Sequence, residues 1–258
     1  MKKIFYLIFI IGSFLFSATS CEVDNYPEPD AQVYGGIRDI IGGGLVETDI
    51  NSGSMIGVRE LGQYAANPTR KTWYIKQNGE YRKNLVYSNE YKFDFTSCNF
   101  YPFEQTTTVH PGENLIDFTV TPYIRIKNLT ITHDAVANKI NASFSLEGGA
   151  PEVKVQWVTL YAWTDIYVGE YVKKTLVTGT GQPKRSFTGA AQTIVPATVY
   201  NLSIDLAANN NDTRNGFGIK RNYYFRVGAL ATGLPTTVGT IRPNYAPYVV
   251  INIDLPNP

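Results

Sequence analysis

The chain has 258 residues, 43% of them hydrophobic and 17% charged, and its 23 basic residues nearly balance its 22 acidic ones. A nearly neutral chain lacks the basic surface needed to bind nucleic acids, so we expect no nucleic-acid partner. The length suits one large or two ordinary domains, each able to bury a core without disulfides.

The first twenty residues predict a secretory signal peptide (residues 1–20). A positively charged start is followed by the apolar segment 4–16 and then by small residues. This is the pattern of a secretory leader, and the apolar segment is shorter than a membrane span. The sequence Ala18-Thr19-Ser20-Cys21 resembles a bacterial lipobox, although leucine is commonest where Ala18 stands. The resemblance implies cleavage before Cys21 and acylation of Cys21, which would anchor the protein in a membrane. An ordinary signal peptide with an incidental Cys21 is the alternative.

Residues 21–31 are predicted to form a lipidated tether. They are acidic and contain Pro27 and Pro29, a composition that favours an extended chain over a packed element. Acidic residues directly behind a lipidated cysteine also resemble the signal that sends Bacteroidetes lipoproteins to the outer face of the outer membrane. We therefore expect a lipid-anchored outer-membrane protein that faces the cell exterior.

Apolar and polar residues alternate with a period of two in one segment after another beyond residue 32. Such alternation is typical of β-strands with one face in a core and one in water. Turn residues such as Asn78-Gly79 and Gly148-Gly149 separate the segments at the spacing of β-sandwiches. The sequence shows no sustained 3.6-residue pattern beyond the leader, so it predicts an all-β protein. The clearest alternating segments are 91–96, 116–120, 140–146, 200–206 and 223–229.

A domain boundary is predicted near Tyr123. The strand pattern that ends at Val120 is followed by Thr121-Pro122, and a new strand pattern starts at Ile124. Proline interrupts a strand ladder because it donates no hydrogen bond. We therefore predict two independently folding β-sandwich domains, residues 32–122 and residues 123–258, both of ordinary size.

Three stretches of the chain together resemble one family: Val58–Gly62, Asp117–Ile126 and Arg221–Ala229. The family is a Bacteroidetes group of two-domain lipoproteins classed as a domain of unknown function, typically encoded beside SusC/SusD-type glycan uptake pairs. The resemblance implies a transthyretin-like, carboxypeptidase-regulatory-like first domain and a fibronectin type III or immunoglobulin-like second domain. It also implies outer-membrane uptake proteins of the SusC/SusD type as partners. Independently, Tyr223–Val227 is similar to the penultimate strand of a fibronectin type III domain.

Motifs of known catalytic chemistry do not occur in the sequence. It has no Gly-x-Ser-x-Gly elbow, His-Glu-x-x-His helix, Cys-x-x-Cys pair or phosphate-binding glycine loop. With Cys21 acylated, Cys98 has no disulfide partner, and we interpret it as a small, partly buried hydrophobe at the end of a strand. A reactive nucleophile activated by a neighbouring base is the alternative. We expect neither an enzyme nor a cofactor. The loop Asn209–Asp212 offers oxygen ligands for calcium, but asparagines also favour turns, and the sequence does not decide between the two.

Aromatic residues make up 13% of the chain. Rings that face solvent are candidates for carbohydrate binding, because the C–H faces of sugars pack on them. In the segment 72–75, Trp73 shares a strand face with Ile75. This predicts that Trp73 is buried and that Tyr74 is exposed as a candidate binding residue.

A break in alternation predicts further exposed rings. Odd positions carry the apolar residues in segment 153–157, but even positions carry them in segment 158–162. Both sets reach one core only if the strand gains a residue, which predicts a β-bulge near Trp157 with Trp157 buried. Tyr161 and Trp163 would then be exposed and could form a glycan platform. Packing of these rings under a loop or against the first domain is the alternative.

The leading functional hypothesis is a non-catalytic cell-surface lipoprotein that binds or helps capture glycans for an outer-membrane polysaccharide uptake system. Its candidate binding residues are Trp163, Tyr161 and Tyr74. A structural scaffold or adhesin-like module that contacts partner proteins, for example by strand addition at an open sheet edge, is the second hypothesis. A glycoside hydrolase with an unrecognised pair of carboxylates is the third.

Overall fold

The computed structural model describes residues 27–62, 67–187, 192–211 and 216–255 of the chain. In these ranges the secondary structure is β-strand with one short 3₁₀ turn and no α-helix. The strands form two β-sandwich domains, which confirms the predicted fold class. No helix within the described ranges is long and apolar enough to cross a membrane. The predicted signal peptide and Cys21 lie outside the described residues.

The described residues of the first domain form eight strands in two sheets. The strands are β1 (Ala31–Asp39), β2 (Met55–Glu60), β3 (Lys71–Tyr74), β4 (Glu80–Val86), β5 (Asn89–Asp94), β6 (Glu104–Val109), β7 (Gly112–Leu115) and β8 (Phe118–Val120). One sheet has the order β4-β1-β7, with β8 also paired to β1, and the other has the order β3-β2-β5-β6. Phe118 of β8 contacts Phe93 of β5 between the sheets, with 5.2 Å between ring centroids. Trp73 is buried in the same core, as predicted.

In the part of the second domain that the structure describes there are nine strands, also in two sheets. The strands are β9 (Ile124–Asp134), β10 (Lys139–Gly148), β11 (Lys154–Trp163), β12 (Lys184–Ser186), β13 (Gln192–Thr193), β14 (Val199–Asp205), β15 (Arg221–Thr232), β16 (Asn244–Tyr245) and β17 (Val249–Ile253). One sheet has the order β14-β10-β9 and the other has the order β12-β11-β15-β16. In the second sheet β13 also pairs with β11, and β17 also pairs with β15.

Two hydrophobic cores lie on either side of residues 121–122. Among the described residues, buried side chains between Ala31 and Val120 form the first core, and most of those between Tyr123 and Leu255 form the second. Tyr161, Val168 and Tyr245 form a separate, smaller cluster. Cys98 is buried in the first core, and this burial raises the pKa of its thiol to about 11. The thiol is therefore protonated at neutral pH, as expected for a hydrophobe, although Cys98 is more deeply buried than predicted and lies between β5 and β6 rather than at the end of a strand.

Strand β11 contains the predicted β-bulge. Its pairing with β15 shifts register between Val155 and Trp157. Trp157 follows the bulge, so it lies on the outer face and is only partly buried, with the ammonium of Lys184 4.9 Å from its ring centroid. The prediction that Trp157 is a core residue is therefore wrong, because the extra residue at position 156 reverses the face of every later side chain.

Buried polar side chains join the two domains. Asn99 of the first domain donates from Nδ2 to the carbonyl oxygen of Pro243 (3.2 Å), and Asn244 of the second domain donates to the carbonyl oxygen of Asn99 (2.8 Å). The guanidinium of Arg125 pairs with the carboxylate of Asp39 at 2.5 Å. Buried polar groups are stable only when they are paired, so these contacts hold the two sandwiches in one relative orientation.

Candidate functional site

A loop of the second domain, residues 164–172 after β11, lies against the first domain. Gln77, in the turn between β3 and β4, donates from Nε2 to the carbonyl oxygens of Ile166 (2.7 Å) and Val168 (3.3 Å). These bonds determine the orientation of the amide and leave its oxygen as an acceptor. Gln77 is 9% exposed, and its Oε1 has no hydrogen-bond partner among the described residues. Because Gln77 Oε1 has almost no accessible surface, Gln77 supports the loop rather than contacting a ligand through this oxygen.

Asp49 of the first domain holds the later part of the same loop. Its carboxylate accepts hydrogen bonds from the backbone N–H of Tyr171 (3.1 Å) and from the hydroxyl of Tyr245 (2.9 Å). Burial, and then the charge of Asp49, raise the pKa of Tyr245 well above its usual value, so the hydroxyl remains a donor. Gly169 packs so closely that a β-carbon there would lie 2.7 Å from an oxygen of Asp49. These contacts fix the path of the loop.

An arginine with no exposed surface connects the loop to both domains. The guanidinium of Arg226 donates to the carboxylate of Glu47 (2.5 Å) and to the carbonyl oxygens of Thr48 (3.0 Å), Val168 (3.2 Å) and Ala246 (3.0 Å). Burial lowers the pKa of Arg226 and raises the pKa of Glu47, and the attraction between the two charges opposes both shifts. The pair is engaged in holding the fold, so Glu47 is poorly placed to act as an acid or base on a ligand.

A groove of about 370 Å³ lies between this loop and the first domain. Two tyrosine rings border it with large exposed surfaces, Tyr167 at 48% and Tyr248 at 39%. On the opposite side Lys76 and Glu80 form an exposed ion pair at 3.9 Å. Apolar ring faces beside amide and charged groups can bind a neutral, hydroxyl-rich ligand. The groove is lined by Glu47, Ile50, Ile75, Lys76, Gln77, Asn78, Glu80, Ile166, Tyr167 and Tyr248.

The aromatic surface continues from the groove onto the outer face of the second domain. The ring of Tyr248 contacts the ring of Tyr224 with 5.3 Å between centroids. Tyr224 on β15 is paired with Trp163 on β11. Trp163 is partly buried, so it retains some of the exposure that the sequence predicted.

The structure does not bring the predicted platform together. Tyr161 is 2% exposed, because the loop 164–172 covers it and Glu170 accepts a hydrogen bond from its hydroxyl (2.6 Å). The prediction that Tyr161 is exposed is therefore wrong. Tyr74 is 73% exposed, as predicted, but it lies on the outer face of the sheet that contains β3 and does not line the groove.

Three residues of the groove were not identified from the sequence: Gln77, Tyr167 and Tyr248. Both tyrosines lie outside the strands, so strand alternation gives no information about their exposure. The available signal was an aromatic residue beside turn formers, since Tyr167 follows Asp165 closely and Tyr248 follows a proline. Gln77 lies 89 residues before its partner Ile166 along the chain, and no local pattern reports such a contact.

The described residues contain no group of three or more histidines, cysteines, aspartates or glutamates that could hold a metal ion. In the loop considered for calcium, the side chain of Asn209 is used within the protein. It accepts from the N–H of Val177 (2.9 Å) and donates to the carbonyl oxygens of Val177 (2.8 Å) and Asp205 (2.7 Å). Asp212 lies outside the described residues.

Residues 124–238 match the family model described as a domain of unknown function, DUF3823_C. The fold is similar to that of a candidate carbohydrate-binding protein from Bacteroides uniformis ATCC 8492, with a TM-score of 0.78 and 44% identity over 87% of this chain and 100% of the other. A DUF3823 family protein from Bacteroides ovatus ATCC 8483 has a TM-score of 0.64 and 18% identity over 87% of this chain and 100% of the other. A DUF3823 family protein from Parabacteroides merdae ATCC 43184 has a TM-score of 0.66 and 19% identity over 88% of this chain and 100% of the other. No curated protein matches the sequence significantly.

Proposed function

We propose, from the premise that this chain belongs to the DUF3823 family, that it is a non-catalytic lipoprotein that binds carbohydrate in the groove between its two domains. The observation that carries the proposal is the combination of two exposed rings, Tyr167 and Tyr248, with polar side chains in one groove. The 44% identical protein from B. uniformis is described as a candidate carbohydrate-binding protein, which supports the same class of ligand.

Tyrosine rings and amides suit the two kinds of surface that a sugar presents. The apolar C–H face of a pyranose packs on a ring such as Tyr167 or Tyr248, and its hydroxyls bond to polar neighbours. The side chains of Lys76, Asn78 and Glu80 are such neighbours. The volume of the groove is at the lower end of the range for ligand pockets, so we expect it to hold a short segment of a glycan.

The loop that carries Tyr167 is held before any ligand arrives. Hydrogen bonds from Gln77 and to Asp49 fix both parts of loop 164–172. A preformed site loses little conformational entropy on binding, which increases affinity for a given set of contacts. This arrangement favours recognition of a ligand over a scaffold function, for which a rigid groove is not required.

The cell location forms the second part of the proposal. Acylation at Cys21 would leave about ten residues before β1, which can extend to roughly 35 Å from the membrane. The groove would then face the cell exterior, where it could present glycans to an uptake complex of the SusC/SusD type.

Cys21→Ala should give a protein that no longer incorporates labelled palmitate or partitions with membranes. A variant that labels and partitions like the wild type would contradict the lipid anchor.

The groove is tested with neutral glycans. A glycan array identifies a ligand for the purified protein, and isothermal titration then measures its Kd for the variants Tyr167→Ala and Tyr248→Ala. Each variant should weaken binding by about tenfold, because loss of a stacked ring removes roughly 1–2 kcal/mol of interaction. Tyr171→Ala is the matched control, since Tyr171 is exposed in the same loop but does not line the groove.

Two results would contradict the groove as the site. One is unchanged affinity in both groove variants. The other is loss of binding in Tyr74→Ala with full binding in the groove variants, which would move the site to the first-domain sheet. Thermal unfolding of each variant distinguishes a lost contact from a lost fold.

A further inference from the structure

A second cleft lies on the outer face of the sheet β3-β2-β5-β6, apart from the groove. Gly57 occupies the centre of this face, opposite Thr72 on β3 and Asp94 on β5. The guanidinium of Arg70 lies directly over Gly57, where a β-carbon would come within 2.1 Å of it. The missing side chain at position 57 therefore creates the space in which the arginine lies.

Two arginines in this cleft share one carboxylate. Arg59 donates from Nη1 to Asp94 at 2.6 Å, and Arg70 donates from Nε at 2.8 Å and pairs through Nη2 at 2.7 Å. The Asp94 side chain is 8% exposed, whereas each arginine side chain is 34% exposed. One carboxylate balances only one of the two guanidiniums, and both arginine side chains keep part of their surface accessible.

A lysine beside the cleft engages its second carboxylate. Lys92 lies opposite Arg59 on the neighbouring strand and pairs with Glu104 at 2.7 Å. The cleft lining itself thus contains two cations, Arg59 and Arg70, and two anions, Asp94 and Glu104, and Lys92 engages the second of these anions. Burial alone would raise the pKa of Asp94, but its contacts with Arg70 and Arg59 lower it below the usual value, so the carboxylate is ionised at neutral pH.

Aromatic side chains lie near the two arginines on this sheet face. Phe103 borders the cleft, is partly buried, and stacks on Phe95 with 4.5 Å between ring centroids. Tyr74 is on the same sheet face as Thr72, two residues along β3, and is 73% exposed. The cleft has a volume of about 420 Å³ and is lined by Arg59, Arg70, Asp94, Phe95, Thr96, Pro102, Phe103 and Glu104.

We propose that this arginine cleft binds the carboxylate or sulfate group of an acidic saccharide, with Arg59 and Arg70 as donors to the anion and Phe103 as an apolar wall. Guanidiniums suit this role because they present several donors in a plane that matches oxyanion geometry. The arginine donors that Asp94 does not use supply the attraction, and Asp94 holds both guanidiniums in place. None of the cleft residues lines the groove, so the proposal goes beyond the function given above.

Affinity electrophoresis tests the cleft with three probes: polygalacturonate as the carboxylate, dextran sulfate as the sulfate, and dextran as the neutral control. We expect at least one polyanion, and not dextran, to retard the wild type. Arg59→Gln and Arg70→Gln should each weaken that binding at least about tenfold. Arg82→Gln is the control, since Arg82 is an exposed arginine on β4 that lies outside the cleft.

The variant Gly57→Ala tests whether polyanion binding requires the position of the Arg70 side chain or only the net charge of the surface. It leaves the net charge unchanged, and its β-carbon displaces only the flexible end of Arg70. We expect it to weaken polyanion binding as Arg70→Gln does.

The proposal is overturned if neither polyanion retards the wild type, if dextran retards it equally, or if Gly57→Ala binds like the wild type. It is also overturned if Arg82→Gln weakens binding as much as the cleft variants do. Tyr167→Ala should leave polyanion binding intact, so failure of the groove and failure of the cleft are distinguishable.

Discussion

Arg226 has no exposed surface, although arginine is among the residues least often buried. Its burial is stable because Glu47 and three carbonyl oxygens satisfy its donors, and because its guanidinium lies 4.2 Å from the ring centroid of Tyr245. Two of those acceptors, Glu47 and Thr48, belong to the first domain. A single side chain thus couples the stability of one domain to the presence of the other.

Arg226→Ala should therefore be strongly destabilising. Removal of one partner of a buried ion pair leaves the other charge uncompensated, which costs about 3–5 kcal/mol. Urea denaturation measures the free energy of unfolding. The control is Arg38→Ala, whose exposed pair with Asp117 should contribute no more than about 1 kcal/mol. An equal decrease in the free energy of unfolding of the two variants would contradict a stabilising role for the buried Arg226.

Asp94 is expected to make the stability of the protein depend on pH. Its pKa in the folded state lies below the usual value of 3.8, despite burial, because of Arg70 and Arg59. Ionised Asp94 therefore stabilises the folded state at neutral pH, and this stabilisation is lost as the pH falls below about 4. Asp94→Asn should reduce the difference in the free energy of unfolding between pH 7 and pH 3. If Asp94→Asn leaves the difference in the free energy of unfolding between pH 7 and pH 3 unchanged, Asp94 does not cause the loss of stability at low pH.

At the scale of single elements, the bulge in β11 determines which side chains reach the core. Before it the core residues are Val153 and Val155, and after it they include Val158. The outer face then carries Trp157, which covers the sheet beside Lys184 rather than filling the core. The position of one extra residue thus decides whether the tryptophan at position 157 lies in the core or on the outer face.

Removal of an aromatic side chain should lower the free energy of unfolding more when the side chain lies in the core than when it lies on the outer face. Phe225 on β15 is fully buried in the second core, so Phe225→Ala should cost about 3–5 kcal/mol. Trp157→Ala should cost less than half as much, because its ring is only partly buried. Urea denaturation of both variants provides the comparison. A larger loss for Trp157→Ala would indicate that the outer face of β11 is more deeply packed than the structure shows.

At the scale of the whole molecule, the domain junction is polar, buried and connected by several elements. Arg226 with Glu47, Asn244 with Asn99, and Arg125 with Asp39 all cross it. The groove exists only while this junction holds, since its walls come from different domains. The function proposed here therefore depends on the orientation of the two domains as well as on their separate folds.

We expect the full chain to unfold in one transition by circular dichroism and tyrosine fluorescence. A chain that starts at residue 123 should be less stable than the same domain in the full chain, because Arg226 loses its acceptors Glu47 and Thr48. Double-probe urea titrations of the full chain and of this fragment make the comparison. Two separate transitions in the full chain, with a fully stable fragment, would support the independent domains predicted from the sequence.

Local patterns were sufficient for part of the fold. Alternation with a period of two predicted strands, the burial of Trp73, the exposure of Tyr74 and a bulge near Trp157, because these depend only on which residues share a strand face. The exact position of the bulge was not predictable from the pattern, since placing it one residue earlier or later satisfies the same core. That one residue is why Trp157 lies outside.

By itself the sequence determined the all-β class, since side-chain alternation is local and a sheet must bury its apolar face. Only the tertiary structure decided the site. Tyr161 is covered by a loop, and Tyr167, Tyr248 and Gln77 meet because segments far apart in the chain pack together at the domain junction. Such contacts depend on loop conformation and domain orientation, which are set by long-range packing and buried hydrogen bonds that leave no periodic trace in the sequence.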